Sequence, residues 1–281
     1  MVNSKNDNGP AGDNENASGV NKTAYYCCGI RMMDAQSNNP VCNDIYAADF
    51  MGAEGRRIFK TFKPYGRSTN RARARIIDDV LRQALKNQPN LKIITIGAGF
   101  DSRPFRLAGG SWVEIDEPAI IGHKNSCLPP DQCPNPLCRN PVDFETDDLA
   151  ATLEKQVSGD PTIFVVEGVL MYLTRDEIKG LLNTLQTVSP VHTLVCDLMS
   201  PRFIRRYARL TRKAFDNLGA NFTGGNFDQI ALVLRHGYRE ERRISNYVMA
   251  SRFGITRLPR IIIHTLKSLQ EYNVHVLSHG D

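Results

Sequence analysis

From Leu91 to Met199 the chain alternates short apolar, β-branched runs with amphipathic stretches. Strands are expected at Leu91–Ile96, Trp112–Ile115, near Asn140–Phe144, at Thr162–Glu167 and at His192–Met199. Helices are expected from Pro118, over Asp147–Val157 and over Thr174–Val188, where Thr174 with Glu177 three residues on forms a capping box. Before the first strand, Thr23–Ala35 and Val41–Met51 read as short amphipathic helices joined by a loop at Ser37–Pro40. A stronger helix follows over Asn70–Asn87, with Ile76, Ile77, Val80, Leu81, Ala84 and Leu85 at helical spacing. Strands alternating with helices imply an α/β protein whose mostly parallel sheet is covered on both faces. In such sheets ligands bind beyond the carboxyl ends of the strands. The segment Pro201–Gly237 interrupts the alternation with basic helices and the turn Asn221–Asn226, and is expected to cap those ends.

Four strand ends carry glycine or acid. The first strand runs into Gly97-Ala98-Gly99, where missing Cβ atoms let a ligand approach main-chain N–H groups. A dinucleotide fingerprint needs a third glycine three positions on; here that place is Ser102. The second strand ends in Glu114 and Asp116, acids suited to a ribose diol, the third near Asp143, and the fourth at Glu167-Gly168. Together they suggest a nucleoside ligand without a clear pyrophosphate.

At 281 residues, 41% hydrophobic and 23% charged, the chain reads as one soluble domain with a sizeable core. Residues 1–22, rich in Asn, Gly, Asp and Ser, are expected to be a disordered tail. No apolar h-region follows the start, and the most apolar run, Thr162–Leu173, is too short to span a bilayer, so a cytoplasmic location without membrane contact is expected. The +5 charge is concentrated in Arg67–Arg75, Arg202–Lys213 and Arg235–Arg243. These read first as solvated helix faces and second as attraction for an anionic substrate; no nucleic-acid partner is expected. Seven cysteines without a secretion signal favour free thiols. His123, Cys127, Cys133 and Cys138 have no CxxC pair and sit among prolines, so a connecting loop is favoured over structural zinc.

The runs ITIGAGFDSRPFRL, WVEIDEPAII, VDFETDDLAATL and PTIFVVEGVLMYLTRDEIKGLL, in this order, resemble the leucine carboxyl methyltransferase-like family. That family includes tetracenomycin-type polyketide O-methyltransferases and the phosphatase leucine carboxyl methyltransferases. The likeness covers about Thr23 to Val188 and the C-terminal part only loosely. It implies a seven-stranded, Rossmann-like class I methyltransferase sheet with N-terminal helices (about 23–88) and a helical cap (about 199–240), binding S-adenosyl-L-methionine at the strand ends. By motif, Gly97 and Gly99 line the cofactor's methionine part and Asp116, with Glu114 as competitor, holds the ribose. Asp143 and Phe144 flank the adenine, and Glu167 faces the amino group. Arg73 pairs with the cofactor carboxylate, Arg71 and Arg75 competing for that place, and Arg31 stands where relatives carry another cation. Tyr172 corresponds to a tyrosine at the active-site mouth.

A carboxylate, with a reference pKa near ~4, needs no general base, whereas a phenol near ~10 benefits from one. His123 and His192 fall away from the expected site and His236 in the cap is the remaining candidate base. The favoured reading is therefore methyl-ester formation on a small organic acid, with Arg202, Arg205 or Arg206 as carboxylate partners. Alternatives are a phenolic hydroxyl, a protein C-terminus, a nicotinamide-dependent reductase, or a non-catalytic binding protein.

Overall fold

The structure is a computed structural model that describes residues 19–62, 66–157, 159, 161–206, 209, 223, 226–266, 269 and 271–280. Three helices lead: α1 (Gly19–Ala35), α2 (Ala47–Thr61) and α3 (Arg67–Asn87). Then come β1 (Lys92–Ile96), the short α4 (Arg103–Arg106), β2 (Ser111–Asp116), α5 (Pro118–Cys127) and β3 (Leu137–Pro141). The chain continues through α6 (Leu149–Glu154), β4 (Thr162–Val166), α7 (Arg175–Val188) and β5 (His192–Met199). After β5 lie helices 201–206 and Gln229–Arg235, β6 (Arg239–Ser245), helices Asn246–Arg252 and Arg260–Thr265, and β7 (Tyr272–His279).

The seven strands form one sheet in the order β3-β2-β1-β4-β5-β7-β6. β7 alone runs against its neighbours, pairing antiparallel with β5 and β6. The chain steps from β1 to β2 and β3 on one side, then returns to the other side of β1 as β4. That reversal opens a crevice at the carboxyl ends of β1 and β4.

Continuous apolar runs become central strands because both faces are covered. Ile94, Phe164 and Leu194 pack with Leu182 and Leu185 of α7 on one face. Their neighbours Ile93, Val165 and Val195 pack with Ile77 and Leu81 of α3 and Ala250 on the other. A third cluster joins α1 and α2 to the sheet through Phe50, Phe100, Phe105 and Ile120. This seats the N-terminal helices over the β1 and β2 ends. The capping box of α7 is present: the Glu177 N–H donates to Thr174 Oγ1 and the Thr174 N–H to Glu177.

Several boundaries differ from expectation. Helix α1 begins at Gly19, inside the segment read as a tail; residues 1–18 of that segment lie outside the described residues. The second helix starts at Ala47 instead of Val41, because Val41, Cys42 and Asn43 donate their N–H groups to the buried Asp34 carboxylate and so are held out of helical pairing. β3 spans Leu137–Pro141, earlier than read, because Pro136 and Pro141 bracket the segment that pairs with Trp112–Asp116. Gln229–Arg235 was expected in the cap, yet Leu232 and Val233 sit in the core with α7 and β5. Half of Arg202–Lys213 and most of the turn Asn221–Asn226 lie outside the described residues. The Arg235–Arg243 cluster ends a helix and enters the edge strand β6, where exposed charges discourage edge-to-edge pairing.

Candidate functional site

The glycine turn closes β1 at the crevice. Gly97 and Gly99 have φ of +67° and +48°, conformations that favour glycine. A Cβ on Gly97 would stand 2.4 Å from Val169 Cγ2. The Gly99 N–H donates to Asp116 Oδ2 at 2.5 Å and the Glu117 N–H to Asp116 Oδ1 at 2.7 Å. Burial nevertheless raises the Asp116 carboxyl above its usual range. Helix α1 crosses the turn, with Ala24 Cβ 3.7 Å from where a Gly99 Cβ would lie. Arg31 on α1 ties the same turn down: its Nη2 donates to the Phe100 carbonyl at 2.6 Å and its Nε to Asp44 at 2.9 Å. The Ser102 hydroxyl donates to the other oxygen of Asp44 at 2.5 Å, so the place of a third glycine is filled by an anchoring hydrogen bond.

Of the two acids on β2, only Asp116 stands at the strand end. Glu114 is fully buried and ion-paired to Lys124 Nζ at 2.8 Å and Arg139 Nε at 2.7 Å. Asp143 and Phe144 lie just past β3, in the loop reached when the Val142 N–H donates to the Asp116 carbonyl. Asp143 Oδ1 accepts from the Glu145 N–H, and the Phe144 ring is 42% exposed.

A buried charge lattice fills the next position along the crevice. Glu167, just past β4, accepts from Arg73 Nε through Oε1 and from Arg103 Nη1 through Oε2, each at 2.8 Å. Burial alone would raise its carboxyl; Arg103 and Arg73 outweigh this and hold it at about 2. Arg103 also donates to Asp78 at 2.7 Å and to Asp101 at 2.8 Å. Asp101 is likewise held at about 2, because Arg103 and the surrounding cations outweigh its burial. Arg73 Nη1 donates to Asp197 at 3.0 Å and to the Tyr272 hydroxyl at 2.6 Å, and Asp197 in turn accepts the Gly168 N–H at 2.5 Å. Arg106 pairs with Asp78 at 2.6 Å and reaches Asp44 at 3.6 Å, closing the lattice back to Arg31. Five carboxylates (Asp44, Asp78, Asp101, Glu167, Asp197) thus meet five guanidiniums (Arg31, Arg73, Arg103, Arg106 and, at the outer edge, Arg82, 3.5 Å from Asp78), so the lattice is balanced in charge.

Arg73 is 4% exposed, so the reading of Arg67–Arg75 as a solvated face fails at this position: its guanidinium is turned inward by Asp197 and Glu167. Its neighbours point elsewhere, Arg71 to Asp34 and Arg75 to Asp79. With Nε and Nη1 engaged inside the protein, only Nη2 turns outward, 3.6 Å from Cys27 Sγ.

Next to this lattice a cavity of about 340 Å³ opens between α1, the start of α3, the β4 and β5 ends, helix 201–206 and the segment Leu258–Leu269. Arg73, Gly168 and Cys27 form its wall on the crevice side; Tyr172, expected at a mouth, stands in the same wall with its hydroxyl hydrogen-bonded to the Thr23 side chain. Burial pushes the Tyr172 phenol well above its usual range. Arg206 also lines the cavity; Arg202 and Arg205 do not appear in its lining. No histidine among the described residues lines it. His236 is not in a cap: it ends helix Gln229–Arg235, beside Gly237, whose Cα neighbourhood touches His279, the residue paired with His192 at the start of β5. That is the amino end of the sheet, opposite the crevice.

The Cys/His cluster disperses. His123 Nε2 meets the Phe50 carbonyl at 2.8 Å with Cys127 Sγ 3.6 Å away, Cys133 donates to the Pro104 carbonyl, and Cys138 is exposed on β3. Among the described residues no group of three or more His, Cys, Asp or Glu side chains is placed to hold a metal. No described helix is long and apolar enough to cross a membrane.

Arg103, Asp101, Asp78, Asp197 and Tyr272 were not read from the sequence as site residues. A signal existed for two of them. Asp78 falls on the buried face of α3 between Ile77 and Leu81, and Asp197 interrupts the apolar run of β5. A carboxylate in either place requires a buried cation.

Comparison with known proteins agrees with this architecture. The Frankia alni protein FRAAL3718 is 28% identical over 189 residues, 61% of this chain and 66% of its own. The S-adenosyl-L-methionine-dependent methyltransferase dpfgK of Gibberella zeae is 29% identical over 179 residues, 59% of this chain and 60% of its own. The chain therefore matches less than two thirds of the length of these relatives. A solved structure of a DUF574 family protein from Streptomyces avermitilis shares the fold, with a TM-score of 0.53 at 10% identity, covering 93% of this chain and 100% of that one. The profile of the leucine carboxyl methyltransferase family matches residues 24–186, which hold every crevice residue from Arg31 to Tyr172. With more than half of its length inside that match, the chain belongs to the leucine carboxyl methyltransferase family.

Proposed function

We propose that the protein is an S-adenosyl-L-methionine-dependent O-methyltransferase that forms a methyl ester on the carboxylate of a small organic acid. The observation that carries this reading is the pairing of two spaces across one wall. On one side lies a glycine turn with an acid at the neighbouring strand end; on the other is a cavity open to solvent at one side, and Arg73 and Gly168 stand between them.

The crevice suits the cofactor chemically. Its strand ends offer two acids, Asp116 and Glu167, to a ligand that brings a ribose diol and an ammonium. Asp116 holds the ribose hydroxyls and Glu167 receives the ammonium with its remaining lone pairs. Asp143 and the exposed Phe144 ring hold the adenine, while Gly97 and Gly99 lie along the methionine chain. Arg73 meets the cofactor carboxylate through Nη2 alone, a one-nitrogen contact in place of a two-pronged clamp. Arg31 acts one step back, by holding the Phe100 carbonyl and so the shape of the turn.

When bound, S-adenosyl-L-methionine supplies a methyl carbon on positively charged sulfur; a carboxylate oxygen takes that carbon, the electron pair of the broken bond stays on sulfur, and no proton moves. The chain's residues then have three tasks: to align the acceptor, to exclude water and to keep the site's charges fixed. Alignment of the acceptor against the methyl carbon supplies much of the rate gain for such a displacement.

Calorimetry with S-adenosylhomocysteine and NADPH tests the cofactor, and transfer of labelled methyl to matched carboxylic acids and phenols tests the acceptor. Binding of S-adenosylhomocysteine with base-labile label on acids is expected. Binding of NADPH instead, or label on phenols only, refutes the reading.

A further inference from the structure

On one side the cavity's rim is apolar. Leu258, Ile262 and Leu266 line it and are also 38%, 37% and 50% exposed, so its apolar wall runs outward into solvent without a break. Just beyond, Ile261 on helix Arg260–Thr265 is 71% exposed. Inside, Met171, Met199, Phe203 and Tyr247 continue the same surface inward. Two cations line the cavity: the buried Arg73 guanidinium in the wall shared with the crevice, and the exposed Arg206.

A large exposed apolar patch joined to a pocket is unusual on a protein surface and marks a binding region. A small hydrophilic acid gains nothing from it. Resting on the methyl-ester reading above, we propose that the acceptor is an amphiphilic carboxylic acid. Its carboxylate lies head-in toward Arg73 and the crevice, its apolar body fills the cavity, and its tail leaves over the lip formed by Leu258, Ile262 and Leu266. The cavity has room for on the order of ten heavy atoms, taking roughly 30 Å³ each. An octanoate-sized acid fills it, and a longer chain extends onto the lip.

The two ends of the ligand are sorted by the same physics. A carboxylate at the outer side, even one that meets the exposed Arg206, lies out of reach of a methyl carbon held in the crevice. An alkyl end against the crevice wall brings no nucleophile to the methyl carbon, and the outward nitrogen of Arg73 already serves the cofactor carboxylate. Head-in binding satisfies both. Each methylene that enters the cavity tightens binding about three- to fourfold.

The test uses the full chain saturated with S-adenosylhomocysteine and follows binding of butanoate, octanoate, dodecanoate and dodecanol by calorimetry. Variants are Ile262→Asp at the lip and Val191→Asp at an exposed site at the amino end of the sheet. Octanoate is expected to bind at least tenfold more tightly than butanoate, and dodecanol at least tenfold more weakly than dodecanoate. Ile262→Asp is expected to lower dodecanoate affinity at least fivefold while S-adenosylhomocysteine binding and melting temperature stay near wild type; Val191→Asp is expected to leave dodecanoate affinity unaltered. Chain-length-independent binding, equal effects of the two variants, or a concentration-dependent dimer that Ile262→Asp dissolves, making the patch an interface between copies, would each overturn the proposal. Failure of the wild type to bind S-adenosylhomocysteine strikes the methyltransferase reading itself, so the two failures are distinguishable.

Discussion

Replacing Glu167 with Gln keeps the shape of the side chain and removes the charge that joins Arg73 to Arg103. The carboxylate is held at about 2, against an ordinary value of 4.5. Its side chain is 14% exposed, so solvent screening is modest. A difference of roughly 2.5 units corresponds to about 3 kcal/mol of folding stability at neutral pH. The sign follows from a depressed folded-state value: the contribution is fully present above pH 4.5 and is lost as pH falls toward 2. Between pH 7 and pH 3.5 the stability gap between wild type and Glu167→Gln should therefore shrink from about 3 to about 2 kcal/mol. Urea unfolding at several pH values measures both numbers, and taking the difference between the two proteins cancels the carboxylates that are not coupled to Glu167, Asp101 on the shared Arg103 being the coupled one. A gap below about 1 kcal/mol at pH 7 would refute the lattice as a net stabilising element and make it a case where desolvation cancels attraction. A gap that widens on acidification would refute the assignment of the shift to Glu167.

Asp116→Ala should weaken S-adenosylhomocysteine binding by about 1 to 3 kcal/mol in calorimetry with little effect on melting. Glu114→Gln should do the reverse, destabilising the fold by about 3 to 5 kcal/mol because Lys124 and Arg139 lose their buried partner; a binding loss from Glu114→Gln without destabilisation would exchange the roles of the two acids. Gly99→Val should cost about 1 to 2 kcal/mol in stability from its positive φ and a larger loss in cofactor affinity, since the added branches occupy the face toward Ala24; unchanged affinity in the folded variant would remove the turn from the site. Burial lowers the His192 imidazole below its ordinary 6.5, so the associated stability is present above pH 6.5 and is lost as pH falls further; His192→Gln should flatten the stability curve between pH 6.5 and 5, and an unaltered slope would exclude this group.

Much of the sheet was legible because local pattern and tertiary role coincide. β5 occupies His192–Met199 as its apolar run indicates, and α7 starts at the capping box that its sequence spells. The glycine turn was legible for the same reason, since positive φ is a requirement on single residues. What the sequence by itself determined was therefore each element whose signal lies within a few neighbouring residues: strand, cap, turn, and the acids that end the strands.

Tertiary structure alone decided which charges meet. Arg71, Arg73 and Arg75 are equivalent as letters, yet only Arg73 faces the crevice, because one position in α3 turns inward toward Glu167 and Asp197, 94 and 124 residues away. Glu114 and Asp116 are two residues apart on the same face of one strand, and Lys124 with Arg139 takes the first while the second stays at the rim. His236 went from candidate base to the far end of the sheet because the helix that carries it packs on α7 instead of over the strand ends. The apolar lip had no pattern of its own, since it arises where the cavity wall continues to the surface. Periodicity reports which side of an element is buried. The partner that a buried charge finds there depends on how distant elements pack, and no local pattern carries that information.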